Sequence, residues 1–298
     1  MDAAAAARWR ARALAQGLRD GAPWLHEEVA RRMAERLQWI AKPPASWVHW
    51  APVQGGMQGH GRVEAVFPNS ECFVQDALVE SAQAAIKSVA KPWWSPARWR
   101  AGSLRADVPA SGVGMVWANM ALHMEADPMA LLQRWLALLQ VDGFLMFSCL
   151  GPDTLRELRA LYAAHGWGDP SHAFTDMHDW GDMLVQAGFA EPVMDMERIS
   201  LSFDTPQRAL QELSGLGRNL HAGRPAGLRT RAWLLSLQGA MASELADAND
   251  AGRITLTFEV VYGHAFKPVP RMPVRDSTQI SLAQMRNALG LHQEGKTP

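Results

Sequence analysis

The sequence predicts an α/β fold: one seven-stranded, mainly parallel sheet whose last strand is antiparallel, with helices on both faces and a helical cap insert. Three observations carry this. Short, almost wholly apolar runs such as Phe144-Leu-Met-Phe-Ser-Cys-Leu150 alternate with helical patterns, as strands buried on both faces of a parallel sheet require. The stretch from Gly143 to Ser202 reads without a break as strand, helix, helix and strand. Two helical segments, 205–219 and 225–247, then come before the last run of strand composition, Arg253 to His264.

Composition narrows the function classes. A chain of 298 residues with 48% hydrophobic content has ample material for a core, so disorder is not the default. Lysine plus arginine number 29 against 30 aspartates and glutamates, a net charge of −1, so no whole-chain field favours nucleic acid or an anionic membrane. Any charged partner must be met by a local patch. The two cysteines, Cys72 and Cys149, lie far apart, and the second falls inside an expected strand, which points to buried thiols in a reducing compartment. The N-terminus lacks the basic head and apolar middle of a signal peptide, and no run reaches the length of a membrane span. The expectation is a cytoplasmic protein.

In chain order, residues 3–19 and 24–41 read as helices, the second with Trp24, Val29, Met33, Leu37 and Ile40 at helical spacing until Pro43-Pro44 stops it. Residues 1–42 form a helical preface. Trp47 to Ala51 is the first strand, and Gly55, Gly56, Gly59 and Gly61 make a flexible loop after it. The second strand is expected at Arg62–Phe67, followed by a helix over 71–90 and the rigid connection Pro92-Trp-Trp-Ser-Pro96. Val113 to Asn119 is a strand, and Pro128 to Gln140 a helix. After Leu150, Gly151-Pro152 ends the strand, and Pro152 and Asp153 open a helix in which Leu155, Leu158 and Tyr162 share a face. Asp176 caps the next helix, Gly188 closes it, and Val193–Phe203 is a strand. The α/β domain thus covers 43–204 and 253–270, the cap insert 205–252, and a tail 271–298. His172, Asp176, His178 and Asp179 cluster, but acidic residues at a helix start are explained by capping and no metal is expected.

Several runs carry a family resemblance. Phe147-Ser-Cys-Leu-Gly-Pro-Asp-Thr-Leu-Arg-Glu-Leu-Arg159, Phe174-Thr-Asp-Met-His-Asp-Trp-Gly-Asp182, Ala187-Gly-Phe189, Pro192-Val-Met-Asp-Met-Glu-Arg198, Gly217-Arg-Asn-Leu-His-Ala-Gly-Arg224 and Leu256-Thr-Phe-Glu-Val-Val-Tyr-Gly-His-Ala265 resemble the BioC family. Its members are S-adenosylmethionine-dependent methyltransferases that esterify the free carboxyl of malonyl-acyl carrier protein in biotin synthesis. The resemblance implies the Rossmann-like class I methyltransferase fold, S-adenosylmethionine as cofactor, and acyl carrier protein or a small carboxylate as partner. It places Gly56, Asn119 and His123 at the cofactor. The aromatic faces of Trp93 and Trp94 could stack on an adenine, although packing under a loop is the commoner use of tryptophan.

The likeness is weakest where the cofactor should bind. An adenosyl cofactor needs a tight glycine turn after the first strand and a carboxylate at the end of the second, which accepts hydrogen bonds from the ribose. Aligning on Val48 puts Trp50 in place of the first acidic residue, Pro52 and Gln54 in place of two glycines, and Phe67 in place of the ribose carboxylate. These departures predict weak cofactor binding, in the high micromolar range or absent. On the substrate side, a malonyl carboxylate is already ionised and needs a cationic fork; Arg218, His221, Arg224, Tyr262 and His264 are the residues suited to it. Two functions therefore stand: a BioC-type O-methyltransferase, or a non-catalytic relative that kept the fold, lost the cofactor and serves as a binding or partner protein.

Overall fold

The computed structural model describes residues 1–77, 79–89, 105–225, 227, 229–247, 250–270 and 285. Its strands are β1 (Ser46–Trp50), β2 (Glu71–Gln75), β3 (Val113–Ala118), β4 (Leu139–Leu150), β5 (Ala190–Phe203), β6 (Ala246–Asp247) and β7 (Arg253–Phe266). They form one seven-stranded sheet in the order β2-β1-β3-β4-β7-β5, with β6 paired to β7. Strands β2, β1, β3 and β4 are parallel, and β7 runs antiparallel between β4 and β5. Beyond β2, Arg105 makes a further parallel bridge to Phe73. Met1–Pro268 is one compact unit and Val269–Pro298 a second. The tail expected over 271–298 lies outside the described residues, Met285 excepted. Among the described residues no helix is long and apolar enough to cross a membrane.

The apolar runs alternate across the sheet because both faces are covered. Trp47, Met115, Trp117, Phe144 and Met146 point into one core, under α1 (Ala3–Asp20), α2 (Trp24–Arg36), α4 (Gln58–Val66) and α5 (Val79–Val89). Val48, Val116, Leu145, Phe147 and Cys149 point into the other, against α6 (Pro128–Leu138) and α8 (Met177–Ala187). Both cysteines are buried free thiols.

The structure corrects the second strand. Residues 62–67 lie in α4, and Phe67 is the residue that ends this helix, buried in the core. The strand is β2, in the segment read as the beginning of a helix, which starts only at Val79. Gly59 and Gly61 are helical rather than loop residues. At Gly59 a Cβ would come within 3.0 Å of Ala30, so the glycine lets α4 lie close against α2.

The helix expected from Pro152 begins at Arg156 instead: α7 is Arg156–Ala164. Leu155 has φ +57, and its N–H bonds Thr257 O at 2.7 Å while Thr154 Oγ1 donates to Glu259 O at 3.1 Å, so the preceding turn is tied to β7. The insert carries α9 (Pro206–Leu216), capped by Thr205, and α10 (Arg231–Glu244), capped by Thr230.

Candidate functional site

In an open α/β sheet, ligands collect at the carboxyl ends of the strands where the strand order reverses. Here the order reverses at β1, with β2 on one side and β3 on the other. A cavity of about 560 Å³ opens at that edge, floored by Val53 and Gln54 after β1 and by Met120, Ala121 and His123 to Glu125 after β3, and walled by α1, the start of α2 and α9. Two non-glycine residues with left-handed backbone mark the turns that build it, Ala51 at φ +46 and Met120 at φ +53. Such strain persists only where the surroundings hold it, and it concentrates at functional sites.

The turn after β1 is a short helix, α3 (Pro52–Gly55), rather than an open glycine loop. Pro52 sits at its first position, where a missing N–H costs nothing. Asn119, 1% exposed, clamps this turn: its Nδ2 donates to Gly55 O and, at 2.8 Å, to His26 O, while its Oδ1 accepts from Ser148 Oγ at 2.6 Å. Every polar group of the Asn119 side chain is thus spent on protein partners, and it acts on the cavity by positioning its floor. Gly56 has φ +112, and a Cβ there would lie 2.8 Å from Glu27 Oε2. Glu27, on α2, accepts the Gln58 N–H at 3.2 Å. Burial raises the Glu27 carboxyl, and the backbone amides of Gln58, Met57 and Gly59 act in the opposite direction. The amides at the start of α4, the place where this class of fold holds a ligand's anionic group, are therefore taken by the protein's own carboxylate.

The histidines stand out. His26 Nδ1 donates to Gln54 O at 2.7 Å, which fixes the tautomer and leaves a lone pair on Nε2, buried and without a protein partner. Burial holds His26 down at about 4. His123 is 4% exposed, and neither of its ring nitrogens has a protein partner. Burial, with His26 and His172 nearby, pushes its pKa well below the usual value, so the ring is neutral. His123 lines the first cavity and also an apolar one of about 220 Å³ on the far side of α9, walled by Leu158, Phe174, Leu213 and Phe258. With Ser214 it is a polar residue at the junction of the two.

No family model matches the chain. Whole-protein likeness is decisive. The chain is 38% identical over 264 residues to the malonyl-acyl carrier protein O-methyltransferase of Gallionella capsiferriformans, covering 85% of this chain and 87% of that protein. It is 36% identical over 272 residues to the protein of the same name from Laribacter hongkongensis, covering 88% and 89%. The chain belongs to the malonyl-acyl carrier protein O-methyltransferase family. The family resemblance read from the C-terminal motifs thus extends through the N-terminal half. A solved structure of a putative methyltransferase from Bacillus halodurans superposes with a TM-score of 0.52 at 14% identity, over 80% of this chain and all of that one, and shares the fold.

Within this methyltransferase family member, the corrected β2 changes the cofactor side. Its last residue, Gln75, pairs with Trp50, and Ala51 N–H bonds Gln75 O at 2.7 Å, so Asp76 follows directly at the carboxyl end of β2, across from the turn after β1. A carboxylate stands where Phe67 had been placed. The other departures remain: Trp50 packs edge-on against Trp135 with Arg134 over its ring, and Gln54 donates to Arg10 O at 2.9 Å.

The substrate-side residues separate into two groups. Arg218 and Arg224 line a common groove; Arg218 donates to Ser214 O and Gly217 O, and Arg224 pairs with Asp2 at 2.6 Å. His221 Nδ1 accepts the Gly223 N–H at 3.0 Å between them. Tyr262 and His264, on β7, line none of these cavities. Tyr262 OH donates to Glu197 beneath the Arg36 guanidinium, and His264 packs between Phe144 and Phe266. The structure does not gather the five into one fork. Trp93 and Trp94 lie outside the described residues. Among the described residues no three His, Cys, Asp or Glu side chains group as metal ligands. Sequence reasoning missed His26, Glu27 and Asp76. Only Asp76 had a readable signal, the turn residues Pro68-Asn-Ser70 before an apolar triplet with polar ends.

Proposed function

We propose that this chain is an S-adenosylmethionine-dependent O-methyltransferase that methylates the free carboxyl of malonyl-acyl carrier protein, a step of biotin synthesis. The observation that carries this is the cavity at the strand-order reversal, with His123, whose ring nitrogens are orphaned, in its lining. The residues present fit an adenosyl cofactor. The Nε2 lone pair of His26 suits an ammonium, Trp9 and Trp24 offer aromatic faces, and the carboxylate of Asp20 lines the wall. Asp76 at the end of β2 suits the ribose. Of the departures that favoured a non-catalytic relative, the missing carboxylate no longer counts.

When bound, the cofactor supplies a methyl group on a cationic sulfur. The chain's work is to orient and to exclude water. A malonyl carboxylate is its own nucleophile at neutral pH, so no base is required. A neutral His123 donates one N–H to a carboxylate oxygen without surrendering a proton, which holds the acid ionised and aimed. The two buried free thiols suit the reducing cytoplasm.

The test is transfer of labelled methyl from S-adenosylmethionine to malonyl-acyl carrier protein, with acetyl-acyl carrier protein, which lacks the free carboxyl, as control. Base-labile label on the malonyl substrate alone is expected. No label on either would reject the reading.

A further inference from the structure

On the outer side of the apolar cavity of about 220 Å³, here called the apolar passage, lies a groove of about 580 Å³ rimmed by Arg8, Arg12, Arg218, Arg224 and Arg229, with Asp169 the one carboxylate in its lining among the described residues. We propose that this groove binds the phosphodiester of the carrier protein's pantetheine arm, and that the apolar passage leads the arm's acyl end to His123. This rests on the reading of the chain as a carrier-protein methyltransferase, and it names how that partner is held.

The charge balance of the groove is the first argument. Arg224 is committed to Asp2, and Arg229 to Trp167 O and the face of Trp233. Arg8 and Arg12 are exposed and, among the described residues, have no ion-pair partner. Arg218 is half-buried over the Trp9 ring at 5.1 Å, with only backbone carbonyls as hydrogen-bond partners. Burial, and the Arg12 guanidinium beside it, lower the Arg218 pKa. Cations crowded without an acid repel one another, and an anion with two free oxygens relieves that repulsion by accepting from more than one guanidinium.

Continuity is the second argument. Tyr162, Pro170, Arg218 and Asn219 line both the groove and the apolar passage. His123, Met124, Ser214 and Leu216 line both the passage and the cofactor cavity. A thread with a phosphate near one end, methylenes and amides along it and a carboxylate at the other matches this succession of basic rim, apolar walls and neutral imidazole.

Calorimetric titration of the full chain with 4′-phosphopantetheine and with pantetheine separates the phosphate from the rest of the arm, and needs no turnover. Failure of the methyl-transfer reading would appear in the transfer assay, whereas this titration answers by itself. The phosphorylated ligand is expected to bind about tenfold or more tightly, and Arg8→Glu with Arg12→Glu to abolish that difference. Arg19→Glu, a like charge change on α1 outside the groove, is expected to keep it. Equal affinities for the two ligands in the wild type would overturn the proposal. So would a preference that survives Arg8→Glu with Arg12→Glu, or one that Arg19→Glu removes equally. Carrier protein lacking its arm should bind weakly. If it binds as well as the arm-bearing form and loses affinity in the double variant, the arginines serve the carrier's acidic surface, and the phosphodiester assignment falls.

Discussion

Two buried polar side chains beside the cavity stand apart at the residue scale, and they differ. His123 has unspent ring nitrogens at the junction of two cavities, whereas Asn119 has none to spare. Replacing His123 by alanine is therefore expected to lower kcat/KM for methyl transfer about ten- to a hundred-fold, the worth of one hydrogen bond to a charged group. Glutamine, which keeps an N–H donor, should restore most of it; equal losses in both variants would mean that His123 only fills space. Asn119→Ala should act through stability. It strands Gly55 O, His26 O and the Ser148 hydroxyl in the interior, and about 2–4 kcal/mol of urea-measured stability should be lost. A loss of under about 0.5 kcal/mol would show that the clamp is not formed.

At the scale of elements, α1 and α2 wall the cavity at the strand-order reversal, and close backbone approach seats them. Gly17 of α1 is the contact: a Cβ there would come within 2.6 Å of Val53 O on the cavity floor. Gly17→Ala is expected to lift α1 from α3 and cost about 1–3 kcal/mol, with faster proteolysis inside residues 3–20 as the local readout. Unchanged cleavage would contradict that seating. The helical preface was legible because α1 and α2 are long, with periodic apolar faces. So were β3, β4 and the β5–β7 pair, whose strands are long or apolar throughout. The short second strand was not. Three buried residues, Cys72, Phe73 and Val74, give too little period to outweigh a neighbouring helical pattern, and Val63 and Phe67, which α4 and its last turn bring to the core, mimic a strand together with the exposed Val66. That slip put Phe67 instead of Asp76 at the carboxyl end of the second strand. The plugging of the α4 amides by Glu27 depends on a tertiary contact across about 30 residues, which local pattern does not encode.

For the whole molecule, buried neutral histidines couple fold and site to pH. His26 titrates at about 4 in the folded state against about 6.5 unfolded, so between these values the unfolded chain binds more protons. Stability is then full above the unfolded value, falls as pH drops through this window and levels off below the folded value. His26 alone makes the drop on the order of 3 kcal/mol, and His123, depressed by burial, adds in the same direction. Urea unfolding at pH 7.5 and 4.5 should show the difference; equal midpoints would mean that these rings reach water. The same enclosed histidines are what the cofactor must meet, on a floor that has a short helix where a glycine turn is usual and with the α4 amides already occupied. Calorimetry of the chain with S-adenosylhomocysteine tests this arrangement most directly. Saturable one-to-one binding in the micromolar range is expected, weakened about tenfold or more by His26→Phe, which removes the Nε2 lone pair. No heat at millimolar ligand, or binding indifferent to His26→Phe, would contradict it.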